Sequence, residues 1–299
     1  MEYALIVSKQ LLVMFAYMMV GFAFYKAKLL TDSGTASMSN ILVYAVIPSI
    51  ILHTFFIPYD PSVIQKMGEG LLAALICLGA GAILCILVFK EDPLNRVGCT
   101  FPNAGFIGIP LITAVLGSEA IVYLMPYHMM LNVFQYTYAV TVFSKERTGF
   151  VKAILKNPMV ISIAVGLTVF LCGLGDKVPS AITGVVDGLY GMLTPLSMIV
   201  LGTYLAQVDF RKISYLRDFK AAGTRLLLIP VCAFILLRLI PLSADARMVA
   251  QIASSCSIGS VIAIYADKFD MDYVYACEVV AFSTLMLLVT MPLIMLFLV

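Results

Sequence analysis

The chain has 299 residues, of which 62% are hydrophobic and only 12% charged, against roughly 25% charged in a soluble domain. So much apolar surface has no polar exterior to sit beneath, so lipid must be the solvent for most of it. A formal net charge of +2 without a basic tail argues against a nucleic-acid partner.

A bilayer-crossing helix needs about 20 mostly apolar residues. In chain order such runs fall near residues 5–25, 37–56, 68–89, 94–116 and 119–143. A second set falls near 158–174, 180–206, 219–240, 247–266 and 273–299. The first carries no small-x-small cleavage site before Lys26 and reads as a retained helix rather than a signal peptide. The expectation is an all-α integral membrane protein with ten transmembrane helices. Two five-helix repeats, 1–143 and 158–299, would be joined by a loop at 144–157.

Lysine and arginine fix the expected orientation. Thirteen lie in the loops after the odd-numbered runs: Lys26, Lys28, Lys90, Arg96, Lys145, Arg147, Lys152, Lys156, Arg211, Lys212, Arg217, Lys220 and Lys268. Three lie on the other side: Lys66, Lys177 and Arg247. Both termini are therefore expected outside the plasma (inner) membrane, with the 148–156 loop in the cytoplasm. An odd number of helices per half inverts the second half relative to the first. The prolines Pro48 in the second run and Pro195 in the seventh lie about half a chain apart, in keeping with that inversion.

The fourth run contains Phe101-Pro102-Asn103-Ala104-Gly105-Phe106-Ile107-Gly108-Ile109-Pro110. Two prolines and two glycines this close do not sustain a regular helix. Irregular backbone at membrane depth is tolerated only where protein or a water-filled cavity covers it. In transporters such breaks hold substrate, because the second half-helix aims its positive end at the midplane. Asn103, Gly105, Gly108, Ile109 and Pro110 are thus candidate binding residues, as against a kink used only for packing. On the fifth run His128, Asn132 and Gln135 share a helical face. A polar stripe in lipid either lines a cavity or joins helices by hydrogen bonds. On the ninth run Ser257, Gly259 and Ser260 allow a second break, since serine hydroxyls can replace lost backbone partners. The bland alternative is a continuous helix with a small-residue packing face.

Among ionisable groups, Asp187 and Glu278 lie within runs, and Arg225 lies a turn or two into the eighth. Arg225 is expected to snorkel to the cytoplasm or to draw anions into an inner vestibule. His53 sits near the outer end of the second run and reads as near-surface. Pro48, Pro195, His128, Arg225 and Glu278 are the structural or gating candidates. No paired carboxylates flank the break. Seven scattered cysteines without a C-x-x-C pair read as free thiols. With two histidines on different runs there is no metal cluster, nucleophile–base pair or catalytic residue to propose, and no P-loop or cofactor motif.

Four segments together resemble the auxin efflux carrier family, which includes PIN-like carriers and bacterial malate- and malonate-type permeases. They are Leu42-Val-Tyr-Ala-Val-Ile-Pro48, Asn103-Ala-Gly-Phe-Ile-Gly-Ile-Pro110-Leu111, Pro195-Leu-Ser-Met-Ile-Val-Leu-Gly202-Thr-Tyr-Leu-Ala206 and Ser283-Thr284 with Thr290-Met-Pro292. The resemblance covers nearly the whole chain. It implies a carrier for small organic anions, with the fourth and ninth helices broken and crossing as in NhaA- and bile-acid-symporter-like folds. It also implies a scaffold of helices 1, 2, 6 and 7, an elevator-like moving unit of helices 3–5 and 8–10, and a homodimer. A cation-coupled carrier of another substrate and a transporter-like sensor are the alternatives. The family's proline near Ser257 is missing here.

Overall fold

The structure is a computed structural model that describes residues 2–143, 158–208 and 215–297. The 148–156 loop and the basic residues Arg211 and Lys212 lie outside the described residues. Among the described residues every regular element is helical, apart from one isolated two-residue bridge.

The first half of the chain begins with α1 (Glu2–Lys26), α2 (Asp32–Ile41) and α3 (Ile47–Phe55). It continues with α4 (Pro61–Val88), α5 (Pro93–Thr100), α6 (Ile109–Leu116) and α7 (Ile121–Phe143). The second contains α8 (Pro158–Leu171), α9 (Ser180–Gly191), α10 (Leu193–Gln207) and α11 (Tyr215–Gly223). It ends with α12 (Ile229–Arg238), α13 (Ala244–Ser255), α14 (Val261–Lys268) and α15 (Tyr273–Phe297).

Three short π-helical turns share one cause. Leu42–Val46, Ala104–Gly108 and Thr224–Leu228 each end two residues before a proline, respectively Pro48, Pro110 and Pro230. A proline ring collides with the carbonyl four residues earlier and offers no N–H in return. Widening the turn moves that carbonyl aside and lets the chain continue as helix. Residues 32–55 and 216–238 therefore run on through their prolines as single stretches. α4 begins earlier than the apolar run starting at residue 68, because Asp60 caps it by accepting the Ser62 N–H at 2.9 Å and Pro61 sets its first turn.

Six stretches among the described residues are long and apolar enough to cross a bilayer. Their outward faces carry Leu5, Leu12, Ile83, Val185 and Val289, all exposed. Apolar side chains on the outside of helices of this length require lipid around them. The chain is an integral membrane protein.

α1 packs along α10, α3 along α8 and α9, and α4 along α7, α12 and α13. The α1–α10 approach depends on glycine from both sides. A Cβ on Gly21 would lie 2.0 Å from the Ile199 carbonyl oxygen, and one on Gly202 would lie 2.0 Å from that of Met18. α15 touches α1 and α10 on one side and α11 and α14 on the other, so it lies between the two sets of helices.

Candidate functional site

The fourth and ninth apolar runs are both interrupted. α5 ends at Thr100 and helix resumes at Ala104; α13 ends at Ser255 and α14 starts at Val261. The two gaps cross as a pair of extended strands one bridge long, Pro102 against Ile258. The Asn103 N–H donates to the Ser257 carbonyl at 2.8 Å, and the Gly259 N–H donates to the Phe101 carbonyl at 2.9 Å. Each gap thus supplies backbone partners that the other lacks, which is how irregular chain survives at this depth. No proline is needed in the second gap. The Ser283 hydroxyl accepts the Ile258 N–H at 3.2 Å, and Thr284 shares a hydrogen bond with Ser257 at 3.0 Å. Gly259 eases the close approach, since a Cβ there would sit 3.2 Å from the Phe101 carbonyl oxygen, a tight contact.

A cavity of about 400 Å³ opens beside the crossing. Asn103, Gly105, Gly259 and Ser260 line it from the two breaks, and His128, Asn132 and Gln135 line it from α7. Ser39 and Tyr44 border it from the α2–α3 stretch, Met159 from α8 and Tyr204 from α10. Lining residues on each helical stretch lie from its middle toward one common end: Ser39 in the first third of the continuous 32–55 stretch, Pro158 at the start of α8, Tyr204 near the end of α10. The connections at that end hold Lys26, Lys28 and Lys90, the basic side of the charge count. No Asp, Glu, Lys or Arg lines the cavity among the described residues.

Two side chains of this lining each hold a buried polar atom without a hydrogen-bond partner, Asn103 Nδ2 and His128 Nε2. Asn132 determines what the second one is. Its Nδ2 donates to the His128 carbonyl oxygen at 2.7 Å and lies 3.0 Å from His128 Nδ1. The carbonyl bond fixes the amide orientation, so Nδ1 is an acceptor and the ring hydrogen sits on Nε2. Both orphan atoms are therefore donors. Gly105 makes room for the ring, for a Cβ there would stand 2.6 Å from Nε2.

Arg225 is 1% exposed. It neither snorkels to water nor faces a vestibule, contrary to both sequence expectations. Its Nε donates to the Cys256 carbonyl at 2.9 Å, its Nη1 to the Cys99 carbonyl at 3.1 Å, and its Nη2 to the Ser254 carbonyl. These carbonyls end α5 and α13. Each helix C-terminus carries about half a negative charge, so one guanidinium offsets two converging ends. The opposite ends, at Ala104 and Val261, begin at the cavity wall. The crossing is thereby polarised, with its negative ends neutralised and its positive ends left toward the cavity.

A family model described as membrane transport protein matches residues 6–154 and 148–295. The chain belongs to this family. A relative from Methanothermobacter thermautotrophicus named an uncharacterized transporter is 24% identical over 293 residues, covering 92% of this chain and 93% of that one. The auxin-efflux-type resemblance of the sequence and the family match agree.

Of the sequence candidates, Gly108, Ile109, Pro110 and Ser257 lie outside the polar cavity. Ile109 and Pro110 line a separate space with Gln10, Thr113 and Tyr190. Ser257 is fully buried against Thr284. Pro48 follows the first π turn, and Pro195 lies in the first turn of α10. Pro110 has a visible consequence: it displaces the Phe106 carbonyl, which takes the Ser197 hydroxyl at 3.4 Å. Glu278 is buried away from the cavity with Oε1 unpartnered. Asp187 is exposed and pairs with His53 at 3.5 Å. All seven cysteines are free. The sequence did not mark Ser39, Tyr44, Met159 or Tyr204. Ser39, Val43 and Ile47 recur every four residues, but a mostly apolar face reads the same whether it packs or lines a cavity.

Proposed function

We propose that this family member is a secondary carrier for small organic anions, binding them in the cavity beside the crossing. The observation that carries this reading is the pair of unpartnered buried donors, Asn103 Nδ2 and His128 Nε2, in a cavity without an acidic side chain. A buried donor left without an acceptor costs about 1–3 kcal/mol. A carboxylate, which only accepts, is the partner that both donors and the positive helix ends would favour once they turn to the cavity.

The ten-helix inverted repeat belongs to the same proposal. Two interrupted runs, each flanked by a π turn at a proline elsewhere in its half, support it. α1, α2–α3, α8, α9 and α10 would form the scaffold and dimer surface, and the remaining helices the unit that moves past it. The cavity opens toward the basic end, which corresponds to a cytoplasm-facing state of an alternating-access cycle.

Thermal-shift screening of purified protein against a panel of mono- and dicarboxylates tests the reading, since a ligand selective for the folded state raises its apparent stability. A carboxylate that stabilises the wild type and not Asn103→Ala is the expected result. A response only to cations or to neutral solutes would refute it.

A further inference from the structure

The cavity lining, among the described residues, has no formal charge to set against an anion, yet it contains one imidazole that can carry a proton, that of His128. We propose that His128 is a proton site, and that one proton enters the cavity with each anion. This rests on the anion-carrier reading and assigns its coupling ion.

The geometry makes His128 a two-state group. With the cavity empty, Nδ1 accepts from Asn132 and Nε2–H points at no acceptor. Among the described residues no Asp, Glu, Lys or Arg borders either cavity that the ring touches. The polar one offers Tyr44 from the π turn before α3 and Tyr204 from α10. The other is walled by aliphatic and methionine side chains from α3, α6, α7 and α8. A desolvated imidazole with no counter-charge stays neutral. Nε2 is covered here by the Gly105 backbone, and a carboxylate that displaces that glycine turn and meets Nε2–H supplies the missing counter-charge.

Charging the ring requires Nδ1 to change from acceptor to donor, so Asn132 has to release it. The amide has other acceptors within reach, the His128 carbonyl oxygen at 2.7 Å and Met159 Sδ at 3.0 Å. It can let go of Nδ1 without becoming an orphan. In the step itself a proton from water on the open side bonds to the Nδ1 lone pair, and the anion accepts from Nε2–H. Nothing is oxidised or reduced, and the pair of charges cancels inside the cavity. When the cavity opens on the other side, the anion leaves and the uncompensated imidazolium returns its proton to water there.

Linkage then works in both directions: the proton tightens anion binding by the factor by which the anion tightens proton binding. The experiment uses purified protein in lipid nanodiscs, with acetate and malonate as probes. Proton uptake on binding is followed with an indicator dye in weak buffer. Because the chain has only two histidines, ¹⁵N-histidine spectra of His53→Gln report on His128 alone. Expected are a neutral Nε2–H tautomer without ligand and an imidazolium signal with it. One proton should be taken up per bound anion, and acetate affinity should rise roughly tenfold per pH unit lowered across part of the range between about pH 8 and 6. At saturation His128→Gln should take up no proton per bound anion. An anion that binds while the imidazole stays neutral and no proton is taken up overturns the proton site and leaves the anion reading standing. If neither probe nor any carboxylate of the thermal-shift panel binds, both fall together.

Discussion

Asn103 carries two separate duties, and they respond differently to substitution. Its backbone belongs to the crossing, through the N–H given to Ser257 and the carbonyl that accepts the Ile107 N–H at 3.1 Å. Its side-chain amide contributes an unpartnered donor. Asn103→Ala keeps the first and removes the second. The empty protein should therefore be as stable as the wild type or slightly more so, because an unpaired buried amide is a cost. Anion affinity should fall by about 1.5–3 kcal/mol, or roughly 10- to 150-fold. Parallel melting and binding curves check this; a loss of stability without loss of affinity would assign the amide to packing. Arg225 is the opposite case, a side chain whose work is structural. Arg225→Met leaves the Cys99, Ser254 and Cys256 carbonyls without their charged donor. The expected cost is about 3–5 kcal/mol, seen as a much lower melting temperature or failure to purify as a monodisperse species. Arg225→Lys should lie between the two, because an ammonium lacks the planar fork that spans three carbonyls.

At the scale of elements, the half-helices need anchors at their outer ends as well as at the crossing. Asp92 caps α5 by accepting the Asn95 N–H at 3.1 Å, and Arg217 of α11 grips the same carboxylate with Nε at 2.9 Å and Nη2 at 3.2 Å. The Arg217 guanidinium also lies 3.6 Å from the Tyr275 ring centroid, and Tyr275 shares hydrogen bonds with Asn95. Three helices, α5, α11 and α15, meet in this cluster. Burial alone would raise the Asp92 carboxyl, but the bonds from Arg217 and Asn95 outweigh it and hold it below its ordinary value. A depressed acid contributes stability above its unfolded value of about 3.9 and loses it as pH falls through the folded value. Asp92→Asn keeps an oxygen for the cap and removes the charge. It should cost about 1 kcal/mol at neutral pH, a modest figure because Arg217 is partly exposed. The difference from the wild type should shrink as pH falls below about 4 and vanish only once pH has passed below the folded value. Melting curves across pH test it, and a difference that persisted in acid would mean that charge is not what Asp92 supplies.

For the whole molecule, the side on which the cavity opens is the quantity of interest. Glu91 lies in the connection before α5, at the basic end, and Asp176 lies between α8 and α9. The charge count expects the first inside the cell and the second outside. Single cysteines introduced at these two positions in a background cleared of exposed Cys172 should label from opposite faces, Asp176→Cys from outside and Glu91→Cys only after permeabilisation. Labelling of both from the same face would refute the inverted topology and the assignment of the cavity to the cytoplasmic side.

Much of this protein could be read from its residues because the physics involved is local. Excess apolar composition demands lipid. Pro102, Gly105, Gly108 and Pro110 forbid regular helix wherever the chain goes, and His128, Asn132 and Gln135 fall on one face through helical period alone. The run from Ser254 to Ser260 allowed a break without compelling one. What decided it was distant: the Phe101 carbonyl, Ser283 and Thr284 supply the partners that make an open backbone tolerable. The role of Arg225 was likewise out of reach of the sequence, since an arginine near a helix end looks the same whether water or three carbonyls receive it. Those carbonyls come from residues 99, 254 and 256, brought together only by the crossing. Which polar atoms remain without partners, and so which of them await a ligand, is a property of packing. It depends on where every other donor and acceptor has gone, and only the tertiary structure fixes that.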